Sequence, residues 1–147
     1  MVIWLWRWIP HPEKPASNGG PEIDFGIETE ECLVLGEAKW NSKLGVGQGV
    51  AGDRSQLALR VDYCTQLAPR VLGSVRHWVV LGVGREANVL SDSPSTNRIR
   101  VRNLAWYDLF RHVPDEQRET IRAYLSWKEK YSQLPAGLRH MATPTGI

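Results

Sequence analysis

The sequence predicts an α/β fold, a mixed central sheet flanked by helices with a helical extension at the C-terminal side. Three observations predict it. Residues 21–28 and 32–40 are apolar or alternating stretches of strand length, separated by the polar Glu28-Thr29-Glu30-Glu31, and together read as a β-hairpin. Residues 77–83, His-Trp-Val-Val-Leu-Gly-Val, form a short unbroken apolar run, the pattern of a strand buried on both sides. Between them Leu57, Val61, Cys64 and Ala68 recur at helical spacing.

The hairpin carries the most information. With its turn centred between Glu30 and Glu31, Asp24 stands opposite Glu37. Side chains alternate along a strand, so Glu37 and Lys39 project to one side and Asp24 joins them. Ile23, Phe25, Ile27, Val34 and Ala38 then form the opposite, apolar face. Two opposed acids repel unless something positive lies between them. A divalent cation and a lysine are the natural candidates.

The remaining elements follow in order. Residues 2–9 place Trp4, Trp6 and Trp8 at period two, with Ile3, Leu5 and Ile9 between them, and read as a strand covered on both faces. Either a partner covers it or the natural domain begins further upstream. Residues 10–20 carry the Pro, Gly, Ser and Asn punctuation of a loop. A glycine-rich crossover occupies residues 41–52, and a helix is expected from Asp53, with Gln56 at capping-box spacing and Gln56, Arg60 and Tyr63 along one flank. Pro69 to Val75 is expected to break it.

Residues 84–97 are turn-rich. Residues 98–102 alternate as a strand with Arg98, Arg100 and Arg102 on one face and Ile99 and Val101 on the other. Asn103 is a candidate cap for a short helix through Phe110. A second helix is expected from Pro114, with Asp115, Glu116 and Glu119 near its start and Lys128 and Lys130 near its end. Ile121, Tyr124, Leu125, Lys128 and Tyr131 line its inner side. One domain is expected over residues 1–133, with residues 134–147 as a flexible tail.

Composition narrows the function classes. The 147 residues are long enough to bury a core, and 42% hydrophobic with 23% charged residues is ordinary for a soluble domain. A net charge of +2 announces no nucleic-acid binder, so any basic surface must come from clustering. Cys32 and Cys64 lack metal or redox spacing and read as reduced, buried thiols of a cytoplasmic protein. The Trp-rich opening lacks the features of a signal peptide, and no apolar run reaches membrane-spanning length. His11, His77, His112 and His140 show no zinc spacing, and no G-x-S-x-G elbow is present. Gly47-Gln-Gly49-Val-Ala-Gly52 matches G-x-G-x-x-G, but polar residues separate it from the strand end where a dinucleotide fingerprint opens, and Asp62 lies inside a helix.

Pro21-Glu22-Ile23-Asp24, Glu37-Ala38-Lys39 and Gln56, set on two strands and the following helix, resemble the motifs of the PD-(D/E)XK nuclease superfamily. The resemblance covers roughly residues 2–83. It implies a restriction-endonuclease-like core and a metal-dependent nuclease hydrolysing phosphodiester bonds, in DNA above all. It implies Asp24, Glu37, Lys39 and Gln56 as catalytic residues, with Asp24, Glu37 and the Ala38 carbonyl as oxygen ligands of Mg²⁺ or Mn²⁺. Lys39 would orient the water or stabilise the transition state.

Two departures stand out. The family's first helix has no counterpart before Trp4, a place that the acid of Glu22 could fill. Arg60 stands where the family's Gln-x-x-x-Tyr pattern has Tyr, with Tyr63 a turn later. Gln56 reads equally as a capping-box residue. Arg98, Arg100 and Arg102 read either as the charged face of an edge strand or, with Arg54 or Arg60, as a phosphate-contacting stripe. The other function class is a catalytically inactive module of the same fold that binds nucleic acid or a protein partner. A homo-oligomer, or a partner over the first strand, would cover its apolar residues.

Overall fold

The computed structural model describes residues 1–10, 21–40, 52, 54–90 and 98–131. The loop over 11–20, most of the glycine-rich crossover, Asp53 and the expected tail lie outside the described residues. The chain divides into two compact units, Met1–Trp106 and Tyr107–Ile147. No helix among the described residues is long and apolar enough to cross a membrane.

The first unit is an open sheet of five strands: β1 (Val2–Trp8), β2 (Glu22–Glu28), β3 (Cys32–Ala38), β4 (His77–Gly84) and β5 (Ile99–Ala105), side by side in that order. β1, β2 and β3 are antiparallel, whereas β4 and β5 run parallel to β3. The three residues after β2 make a tight turn in which the Thr29 hydroxyl accepts the Cys32 N–H at 2.9 Å, which joins antiparallel neighbours, while the connection from β3 to β4 carries a helix, as a parallel pair requires. The α/β class and the mixed sheet are as the sequence predicts.

Pairing of β2 with β3 follows the expected register: Phe25 with Gly36, Gly26 with Leu35, Ile27 with Val34 and Glu28 with Leu33. The burial of the two faces differs from expectation. Leu33, Leu35 and Glu37 share a face by alternation, and all three are buried. Of the residues expected on the apolar face, Ile23 is buried, but Phe25, Ile27, Val34 and Ala38 are only half-buried. The acid therefore projects into the better-packed side, where Leu33 and Leu35 meet Leu57, Tyr63, Cys64, Trp78, Val80 and Ile99.

That side is covered by a helix in three pieces: α1 (Gln56–Asp62), a π-helical turn at Tyr63–Leu67 and α2 (Ala68–Val71). It starts at Ser55, whose hydroxyl accepts the Ala58 N–H at 3.1 Å, so Gln56 is the first helical residue and not the third of a capping box. Pro69 does not end it. The π turn, in which the Ala68 N–H reaches the Tyr63 carbonyl, widens the backbone just ahead of the proline and lets the helix continue to Val71.

β1 is an edge strand, and within this chain its Val2, Ile3, Leu5, Trp6 and Trp8 are exposed. Trp4 alone of its tryptophans turns inward, its indole lying where a Cβ on Gly26 would stand. Asn103 does not cap a helix. It lies in β5, where its Oδ1 accepts the Leu90 N–H at 2.8 Å and its Nδ2 donates to the Leu90 carbonyl at 3.0 Å.

A short helix, α3 (Trp106–Phe110), follows β5 directly, and α4 (Asp115–Tyr131) lies in the second unit. Leu125 is its buried residue, whereas Tyr124, expected on the inner side, is exposed. Trp127 stands between the rings of Tyr124 and Tyr131, and the guanidinium groups of Arg118 and Arg122 lie over Phe110.

Candidate functional site

Past Phe25 and Gly36 the pairing of β2 and β3 changes character. The Asp24 carboxylate accepts the Ala38 N–H through Oδ2 at 2.7 Å, standing in for a backbone acceptor. This fixes Asp24 beside the end of β3, where Glu37, Ala38 and Lys39 follow one another. Lys39 is held through its own backbone: its N–H donates to the Val83 carbonyl at 2.8 Å and its carbonyl accepts from the Trp106 indole at 3.2 Å. Its half-exposed ammonium reaches Glu37 Oε1 at 2.5 Å.

Glu37 is 1% exposed, and its second oxygen, Oε2, accepts from Nη2 of Arg60, which is 0% exposed. The same Nη2 donates to the Glu22 carbonyl at 3.1 Å, so one nitrogen ties α1 to both β2 and β3. Arg60 Nε and Nη1 are buried and have no hydrogen-bond partner among the described residues. Burial pushes the Arg60 pKa down from its ordinary value, and the nearby charges of Glu37 and then Asp24 hold it up. An arginine does not give up its proton in a protein, so the guanidinium remains a cation. Two carboxylates and two cations thus converge, and their formal charges cancel.

No family model, curated protein or solved structure matches this chain.

The other expected residues distribute as follows. Arg60, expected with the phosphate-contacting arginines, is sealed in the interior and contributes no surface. Arg54, just ahead of α1, pairs with Asp62 at the end of that helix. Gln56, at the head of α1, precedes Arg60 by four residues and so shares its helix flank. Arg98, Arg100 and Arg102 are exposed along the edge strand, with Ile99 buried between them. Arg100 and Arg102 pair with Val79 and Leu81, whereas Glu37 pairs with Gly82, which pairs in turn with Asn103. Residues paired in this way share a face, so these two arginines and Glu37 project from opposite faces of the sheet. The arginine stripe and the acid pair are not one surface.

Among the described residues no three His, Cys, Asp or Glu side chains gather into a group that could hold a metal ion. Asp24 and Glu37 are two hard oxygen donors, and a further one would have to come from Ala38, water or substrate. That set does not make a closed protein cage. It fits Mg²⁺ or Mn²⁺ in the mode of one or two carboxylates supplemented by waters and substrate phosphate. Arg60 is the participant that sequence reasoning misplaced. Its only signal was its spacing, one turn from Gln56 and on the strand-facing flank of the helix.

Proposed function

We propose that the chain is a metal-dependent nuclease with a restriction-endonuclease-like core, hydrolysing phosphodiester bonds in nucleic acid, most naturally DNA. The convergence of Asp24, Glu37 and Lys39 at the ends of β2 and β3 is the observation that carries this reading. Mg²⁺ or Mn²⁺, held by Asp24, Glu37 and Ala38, would supply the charge that acidifies a water and offsets charge on the attacked phosphate. The chain's own residues do the rest. Asp24 is oriented by the Ala38 N–H, and Glu37 is oriented by its two cations. The Lys39 ammonium, partly open to solvent, is placed to orient the water or to stabilise the phosphorane-like transition state. Arg98, Arg100 and Arg102 remain candidates for backbone contacts made on the other face of the sheet. Free Cys32 and Cys64 accord with a reducing, cytoplasmic setting.

A second reading is favoured by one observation. The buried Arg60 already provides a cation to the acid pair, which suits a non-hydrolytic module of the same fold that binds nucleic acid or a protein. An assay with Mg²⁺ or Mn²⁺ on single-stranded, duplex and branched DNA separates the two. Cleavage by the wild type that is lost in Lys39→Ala supports the nuclease. Absence of cleavage of every substrate, with DNA binding unaffected by Asp24→Asn, would sink it in favour of the binding module.

A further inference from the structure

We infer that Arg60 is the resident counter-cation of the acid pair and makes entry of a divalent ion conditional on entry of a phosphodiester; the second half of this inference rests on the nuclease reading. The first premise is charge. Asp24 and Glu37 are matched by Lys39 and Arg60, so the site is neutral as it stands. Adding a divalent cation alone leaves two uncompensated positive charges beside a carboxylate that is 1% exposed, where water screens little. A phosphodiester alone adds a negative charge next to two acids. Ion and phosphodiester together come close to balance, and the phosphate oxygens complete a coordination shell that two carboxylates leave open.

The second premise is geometry. Both carboxylate oxygens of Glu37 are engaged, Oε1 by Lys39 and Oε2 by Arg60, so an ion that binds there shares an oxygen with a cation or takes its place. Among the described residues Arg60 is gripped through Nη2 alone rather than as a two-pronged fork, and its Nε and Nη1 make no hydrogen bond there. A guanidinium held by one nitrogen can pivot about it. It can yield Oε2 to an ion while keeping the Glu22 carbonyl, and it has donors in reserve for another acceptor.

The test is Mn²⁺ uptake by the full chain, read from the paramagnetic resonance of the free ion, with and without a phosphorothioate duplex that resists hydrolysis. The wild type is expected to bind Mn²⁺ about tenfold or more tightly with the duplex than without it. Arg60→Gln, which removes the charge, is expected to bind Mn²⁺ about tenfold more tightly than the wild type in the absence of duplex, with the duplex adding less than about threefold. Asp24→Asn in that background is expected to abolish the gain. Arg60→Lys, which keeps the charge, is expected to follow the wild type. Should Arg60→Gln fail to fold by circular dichroism, Arg60→Met carries the same expectation.

Equal wild-type affinity with and without duplex would overturn the coupling. Arg60→Gln no tighter than the wild type without duplex, or Arg60→Lys behaving as Arg60→Gln, would overturn the counter-cation. Failure of the nuclease reading shows separately, as absence of cleavage of any DNA, because the Arg60→Gln comparison without duplex uses no nucleic acid.

Discussion

Arg60 Nη2 and Glu37 Oε2 form an ion pair that is closed to solvent on both sides and ties the covering helix to the central strand. Such a pair stabilises little relative to apolar residues of the same shape, but breaking it leaves a charge stranded in the interior. Arg60→Met is therefore expected to lower stability by about 3 kcal/mol, since Lys39 still compensates Glu37 in part. Glu37→Leu should cost a similar amount. The double replacement should cost clearly less than the two together, and a denaturation cycle over the four proteins measures that difference.

Mn²⁺ gives the same pair a second readout. It should raise the melting temperature of Arg60→Gln, in which the acids have lost a counter-charge, more than that of the wild type without nucleic acid. A thermal melt at graded Mn²⁺ concentrations checks this.

Asn103 is expected to matter for stability rather than for chemistry. Both of its hydrogen bonds go to Leu90, and Gly82 makes room for them: a Cβ there would meet Asn103 Oδ1 at 2.6 Å and Leu90 Cγ at 2.7 Å. Asn103→Ala leaves two backbone groups of Leu90 without that partner and should cost about 1–3 kcal/mol. Hydrogen exchange should quicken at Leu90 before it does in β4.

Alkaline pH should weaken the fold through Cys64. Burial pushes this thiol from 9.0 up to about 12. Below pH 9 it is neutral in folded and unfolded chains alike. Between pH 9 and 12 the unfolded thiol ionises while the folded one resists, so stability falls as pH rises, by up to about 1.4 kcal/mol per pH unit. Tyr63, also raised by burial, acts in the same direction above pH 10. Urea midpoints at pH 8, 10 and 11 should converge between the wild type and Cys64→Ala as pH rises.

The strands that carry Asp24 and Glu37 were more legible in the sequence than what packs around the two acids. Alternation and a short polar turn were enough to set the register from Phe25 with Gly36 to Glu28 with Leu33, because register follows from where the hairpin turns, but they did not reveal that Asp24 bonds the Ala38 N–H through its side chain. Which face of β3 is the better buried was not legible, since both faces carry apolar residues and the choice depends on where the helix lands. Arg60 was misplaced for the same reason: a long cationic side chain on a helix flank reads as surface until the carboxylate beneath it is known. Pro69 looked like a helix end because a π turn, which accommodates it, has no simple sequence signature. The exposure of β1 was equally hidden, since an apolar alternation does not say whether anything lies against it.

One measurement reaches the site most directly: the single-turnover rate of Mn²⁺-dependent cleavage of a DNA duplex or branched substrate by the wild type and by Asp24→Asn, both verified as folded. The wild type should cleave, and Asp24→Asn should be slower by about a hundredfold or more, as expected when an ion supplying several kcal/mol of charge stabilisation loses a ligand. A folded wild type that cleaves neither substrate, or an Asp24→Asn protein that cleaves at the wild-type rate, would contradict a nuclease site built on Asp24, Glu37 and Lys39.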